Sequence, residues 1–164
     1  MPTKKMLSKR NINLSLSVQY ATPEAELPRW RLRRWVQRSL AHLAGEVPAN
    51  IDLTIRIVDQ HEATALNKAY RHKNYAPNVL TFTYDEDRLP GQPLSGDIVI
   101  CADVLKQQAT EQDKRYLDHA CHLVVHGTLH AVGYDHQTPE QALQMESLEK
   151  EILASMGISD PYSL

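Results

Sequence analysis

The stretch HGTLHAVGYDH, His126 to His136, places three histidines at a spacing suited to one metal ion. His126 and His130 stand four residues apart, which on an α-helix is a rotation of roughly 40° and a rise of about 6 Å. Both imidazoles therefore leave one face and can share an ion. His136 would point away if the helix ran on. Gly133 supplies the left-handed residue that commonly ends a helix, so His136 can approach the pair from outside. Three neutral imidazoles leave a divalent ion, most simply Zn²⁺, its full charge and a fourth position open to water. Such a centre suits an anionic substrate and lowers the pKa of bound water to roughly 7.

Metzincin proteases share the spacing in H-E-x-x-H-x-x-G-x-x-H, with Glu after the first His as general base. Here Gly127 holds that position and cannot move a proton. Two plainer readings compete: histidines that merely fill a core, and a metal held for structure. Structural zinc usually has four protein ligands, often Cys, which weighs against the second. His119, His122, His126 and His130 fall within about 80° of one helical face. His122 can orient a ligand, although a core histidine bonded to a carbonyl is the commoner role. Asp135 either orients His136 or shapes the turn, with equal weight. Arg71 closes a helix ahead of a loop, where its fork could meet a phosphate. By position alone it reads more readily as a partner of the helix dipole.

Those residues need a scaffold. Alternation over residues 12–20 (Ile12, Leu14, Leu16, Val18, Tyr20) and at Ile51, Leu53, Ile55 and Ile57 predicts two strands, each with one buried face. Between them Pro28 opens a helix reaching about Ala44, with a stripe of Leu32, Trp35 or Val36, Leu40 and Leu43; Gly45 ends it. Asp59 with Glu62 suggests a capping box for a helix carrying Leu66, Ala69 and Tyr70. Val79 to Tyr84 predicts a third strand, DEDRLPGQPLSG a polar loop, and Asp97 to Ala102 a fourth strand. Asp103 caps a short helix to about Gln112. Residues 117–132, apolar nearly all round, predict an interior helix carrying the histidines. Thr138, Pro139 and Gln141 open a last helix reaching about Met156. The expected fold is α+β, with a mixed sheet of about four strands and a buried metal-binding helix.

At 164 residues the chain fits one domain, expected over residues 11–164 behind a loose basic tail at residues 1–10. It has no 18-residue apolar run and no visible signal peptide. Cys101 and Cys121 lie in apolar segments without a C-x-x-C pattern and read as reduced, buried thiols of a cytoplasmic protein. The net charge of −2 conceals an asymmetry: residues 1–40 carry nine Lys/Arg against Glu24 and Glu26, giving +7, and the remainder sums to −9. Five of the nine, Arg29, Arg31, Arg33, Arg34 and Arg38, crowd one predicted helix. That segregation can build a patch for a polyanion, though a solvated helix face accounts for it slightly better.

Taken together, LNKAYRHKNYAPNVLTF, GDIVI, HGTLHAVGYDH and the DPY of Asp160 to Tyr162 resemble the YbeY family of bacterial metal-dependent endoribonucleases, over roughly residues 50–162. The resemblance implies a small zincin-like α+β fold and a metal on His126, His130 and His136. It implies an active-site arginine at Arg71; in the mechanism expected here, Arg71 with Lys73 binds the substrate and stabilises charge growing on its phosphate oxygens, and His126 belongs to the catalytic machinery. It implies cleavage of single-stranded RNA, maturation of the 3′ end of 16S ribosomal RNA, and quality control of ribosomes, with the small ribosomal subunit as partner and neither DNA nor membrane. Many members read Thr-Asp-Val-Leu-Ser-Phe-Pro where this chain has Pro77 to Thr83. Asn78 thus replaces a carboxylate, and any proton transfer by it is lost; Ala131 replaces a common Leu. The nucleophile is expected to be water activated at the metal, with the RNA 2′-hydroxyl as the open alternative. A non-catalytic, metal-stabilised assembly factor is the rival reading, and a metzincin-like metalloprotease a weaker one.

Overall fold

The computed structural model describes residues 12–84, 86 and 88–163; the tail expected at residues 1–10 lies outside them. The chain order is β1 (Asn13–Tyr20), α1 (Arg29–Ala41), β2 (Asn50–Val58), α2 (Gln60–Arg71), β3 (Val79–Thr83), β4 (Leu94–Cys101), α3 (Ala102–Glu111), α4 (Tyr116–Ala131) and α5 (Pro139–Ser155). The strands form one mixed sheet in the order β1-β2-β4-β3, the first three parallel and β3 antiparallel to β4. The α+β expectation with four strands holds. Among the described residues no helix is long and apolar enough to cross a membrane.

Alternation divides the sheet into two apolar faces. Leu53, Ile55 and Ile57 of β2 with Ile98 and Ile100 of β4 join Leu32, Val36 and Leu40 of α1 and Val124, Val125 and Leu129 of α4 in the main core. On the reverse face Val58, Leu80, Val99 and Cys101 pack against Ala63 and Leu66 of α2. β2 and β4 are therefore buried on both sides at their C-terminal ends, as covered parallel strands require, whereas β1 alternates to its end. Cys101 and Cys121 are free and buried, and burial raises both thiols, Cys121 to about 12.

The first helix stops at Ala41, with His42 as its C-cap, short of the expected Ala44, and three further local expectations change. Glu62 does not complete a capping box: Asp59 accepts from the Glu62 amide at 2.9 Å, but the Glu62 carboxylate takes a two-point contact from Arg56 at 2.6 and 3.1 Å. A guanidinium fork on the neighbouring strand outcompetes a single backbone donor. Asp103 is not the cap of α3; the helix starts at Ala102 behind Cys101, and Asp103 serves its first turn as an acid facing the positive end. β4 begins at Leu94, three residues before Asp97, because Leu94, Ser95 and Gly96 find partners in Ile51, Asp52 and Leu53 of β2. Ladder pairing converts the end of a polar loop into strand.

The fit of α4 onto the sheet depends on missing side chains. A Cβ built on Gly127 would lie 2.8 Å from Ile98 Cγ2, and one on Gly96 would lie 3.2 Å from Ala131 Cβ. Gly127 therefore faces β4, and Gly96 of that strand lies against Ala131, where a side chain on Gly96 would crowd the helix. Helix propensity alone favours Gly127→Ala by about 1 kcal/mol. The clash falls on the γ-methyl of a β-branched residue, which cannot swing aside, and overpacking of this kind costs about 1–3 kcal/mol. We predict that Gly127→Ala lowers the urea midpoint despite its better helix propensity; an unchanged or raised midpoint would show that α4 has room above β4.

Candidate functional site

His126 and His130 project from the last turns of α4, and the chain then reverses in a Schellman turn. Gly133 adopts φ +112°, its amide donates to the His130 carbonyl at 3.1 Å, and the Tyr134 amide donates to the Leu129 carbonyl at 3.0 Å. That reversal carries His136 back against the helix. Ring centroids lie 4.7 Å apart for His126–His130, 4.7 Å for His130–His136 and 5.8 Å for His126–His136. One ring nitrogen from each comes within 4.8 Å of the others, so the group could hold a metal ion.

The orientation of His126 is set by a residue without motif spacing. Its Nδ1 donates to Oε1 of Glu149 on α5 at 2.7 Å, leaving Nε2 bare. Glu149 is fully buried, and a charge there must be compensated. His122 Nε2 approaches the same oxygen at 3.3 Å, and the Tyr162 hydroxyl donates to the other oxygen at 2.6 Å. Burial alone would push the Glu149 carboxyl up, but these three donors bring it down to about 2. Tyr162 is raised in turn by burial and by the carboxylate beside it. A second Schellman turn, with Gly157 at φ +76° and the Ile158 amide on the Leu153 carbonyl at 2.9 Å, turns the chain back after α5.

Sequence reading overlooked Glu149, yet a signal was present. Met145, Glu149 and Ile152 fall at i, i+4 and i+7, so the charge sits inside an apolar stripe. Among the described residues His122 meets no backbone carbonyl; its Nε2 lies 3.3 Å from the Tyr162 hydroxyl and 3.3 Å from the Glu149 oxygen that His126 also contacts. Asp135 is a turn aspartate: its Oδ1 accepts from the backbone amide of His136 at 2.8 Å.

The histidines open into a cleft of about 720 Å³ that is also lined by Arg71, Asn78, Val79, Thr81, Thr83, Glu86 and Asp135. Arg71 ends α2, where His72 takes the left-handed conformation at φ 58°. Buried Asn67 ties down the loop beyond, its side-chain amide donating to the Tyr75 carbonyl at 3.0 Å. Among the described residues Arg71 has no ion pair or side-chain hydrogen bond, so its fork is available to the cleft. Lys73 is exposed and lies outside the cleft lining. Asn78 accepts from the Val79 amide at 2.7 Å and donates to Gln108 at 3.2 Å; Gln108 Oε1 also meets His119 Nε2 at 2.9 Å. The amide at this position thus braces the cleft wall against α3 and α4.

The donor set fits a divalent cation. Burial, then the neighbouring rings of His126 and His136, depress His130 to about 4, so it stays neutral and able to ligate near neutrality. The carboxylate behind His126 is the usual support of a histidine ligand.

A family profile described as Endoribonuclease YbeY matches residues 17–157. The chain belongs to the YbeY family. The Bordetella pertussis Endoribonuclease YbeY is 53% identical over 152 residues, covering 91% of this chain and 96% of the relative. The Pseudomonas putida Endoribonuclease YbeY is 47% identical over 151 residues, covering 92% and 94%. The solution structure of TM1509 from Thermotoga maritima shares the fold, with a TM-score of 0.56 at 19% identity over 91% of this chain and 99% of that one.

Two outcomes follow from Glu149. Replacing it with Gln should weaken metal binding about 10–100-fold, the range typical of residues that support a ligand; wild-type affinity by competition with a chelator would show that the carboxylate does not tune His126. In metal-free protein, a depressed carboxylate contributes stability present above its ordinary value of 4.5 and lost as pH falls toward about 2. The acid-unfolding curve of Glu149→Gln should lack that component.

Proposed function

We propose that this protein is a zinc-dependent, single-strand-specific endoribonuclease with one hydrolase domain over residues 11–164. Membership of the YbeY family supports RNA as substrate. The observation that carries the reading is that Arg71 lines the same cleft as His126, His130 and His136. One wall offers three imidazole nitrogen donors and the other a free guanidinium, a pairing suited to a phosphodiester. By the same family relationship we assign the protein to 16S ribosomal RNA 3′-end maturation and ribosome quality control in the cytoplasm, acting on the small ribosomal subunit. The helix, the Gly133 turn and the third histidine support a zincin-like reading of the site.

Zinc bound on His126, His130 and His136 would supply a Lewis acid for a phosphoryl oxygen and for water. The chain's own residues do the rest. Glu149 holds His126 by Nδ1, which leaves Nε2 for the metal. Arg71 meets the phosphate oxygens as charge accumulates on them, and its planar fork favours two oxygens at once. Lys73, exposed beyond the helix end, contacts the same RNA outside the cleft. Position 127 speaks against peptide hydrolysis, because a Cβ there points into Ile98 and leaves no room for a base.

The test compares RNA cleavage per bound metal. Arg71→Ala should keep its metal and its melting temperature, and lose roughly 10²–10³ in rate, the scale of deleting one preorganised donor to a charged transition state. Arg71→Lys should recover little if the planar fork matters. A metal-replete Arg71→Ala protein cutting at the wild-type rate would remove Arg71 from the chemistry. In parallel, His136→Ala should lose its metal on dialysis, by more than the 10–100-fold expected of a supporting residue. Metal analysis at wild-type occupancy would remove His136 from the donor set.

A further inference from the structure

The arginine cluster of α1 is absorbed by nothing in the cleft. β1 pairs on one side with β2 and forms the edge of the sheet, with β3 at the opposite edge. One rung runs Val18, Ile55, Ile98, Thr81, from the outer strand to the wall of the cleft. At the Val18 end a surface hollow of about 470 Å³ is lined by Leu16, Ser17, Val18, Arg29, Trp30 and Arg33. Trp30 is 60% exposed, an unusual position for an indole. The Arg31 guanidinium lies 4.8 Å from the centre of its ring, and that of Arg29 lies 5.0 Å from the ring of Tyr20. Among the described residues none of the five α1 arginines forms an ion pair. The nearby Glu24 carboxylate is engaged elsewhere, by Lys106 at 2.9 Å and the Tyr116 hydroxyl at 3.0 Å.

We propose that this α1–β1 face is a second RNA-binding surface, which takes single-stranded RNA outside the cleft by stacking a base on Trp30 and holding phosphates on Arg29 and Arg33. The inference rests on RNA being the substrate. Guanidinium groups that, among the described residues, meet only backbone carbonyls and rings, and no carboxylate, combine around an exposed aromatic ring the two elements that bind single strands without sequence preference: positive charge for the backbone and a flat surface for a base. An added β-strand from a protein partner fits less well, because Arg29 donates to the Val18 carbonyl at 3.3 Å and so occupies an acceptor an added strand would need. The surface and the cleft stand at opposite ends of one rung, about three strand spacings or ~14 Å apart through a filled core. A strand using both must pass round the molecule, so the effect depends on RNA length.

The experiment measures fluorescence anisotropy with 2′-O-methyl single-stranded RNAs of graded length, checked intact on a gel, for the metal-replete wild type, Trp30→Ala, Trp30→Phe and Arg29→Glu/Arg33→Glu. Matched melting curves establish that the variants are folded. For long RNA, Trp30→Ala should raise Kd roughly tenfold and Trp30→Phe should largely restore it. The double charge reversal should raise Kd further and flatten the log Kd against log salt slope by about 1.4, two contacts at ~0.7 each. Both variants should cut short RNA, which fills the cleft alone, at the wild-type rate. Wild-type Kd and salt slope for long RNA in Trp30→Ala and in the double variant would overturn the proposal. If the wild type cuts no RNA at all, the catalytic reading fails, while the Kd comparison still decides this surface.

Discussion

A fully buried carboxylate, Glu149, is the interaction on which the site depends. Taking an ionised group out of water is costly unless every lone pair finds a donor. Here the donors come from two other parts of the chain: His122 and His126 from α4, and Tyr162 from the segment after α5. The carboxylate therefore does three things at once. It fixes the ring of His126, joins α5 to α4, and anchors the C-terminal segment. Loss of one partner would leave part of the charge uncompensated in the core, so the supporting residues are bound together energetically.

Placement of the remaining donors follows from close packing. α4 approaches the sheet at Gly127 and Gly96, where ordinary side chains would collide. That approach puts the histidine-bearing end of the helix beside β3, whose Val79, Thr81 and Thr83 form the facing wall of the cleft. The helix is held by its packing, and His136 by the Schellman turn, so two imidazoles ride on a rigid element and the third on a short hydrogen-bonded turn. Arg71 arrives independently, from α2 on the other side of the sheet. The divided origin lets a positive group face the donors without crowding them.

Charge is distributed over the molecule in a related way. The cleft is lined by residues from the net-acidic part of the chain, with Arg71 among them, and Arg29 and Arg33 of α1 lie beside β1 at the other edge of the same sheet. Negative charge elsewhere discourages indiscriminate binding to polyanions, and confines attraction to places where guanidinium groups lack carboxylate partners.

The sequence by itself determined the elements and the histidine group. Period-two alternation at Ile51 to Ile57, the stripe of Leu32, Val36, Leu40 and Leu43, the Thr138 cap and the Gly133 turn are local patterns, and local patterns survive folding. The spacing of His126, His130 and His136 likewise lies within one helix and one turn, so it could be read without tertiary knowledge. Pairing partners lie outside any local window: Leu94 to Gly96 became strand because β2 was available, and Glu62 left its expected cap because Arg56 lay alongside. Glu149 was missed for the same reason, 23 residues from His126 and meaningful only once α5 docks on α4. Arg71 and the histidines could be suspected separately, but a shared cleft is a statement about how α2, β3 and α4 pack. Only the tertiary structure decides that, because packing contacts join residues whose separation along the chain carries no information about their distance in space.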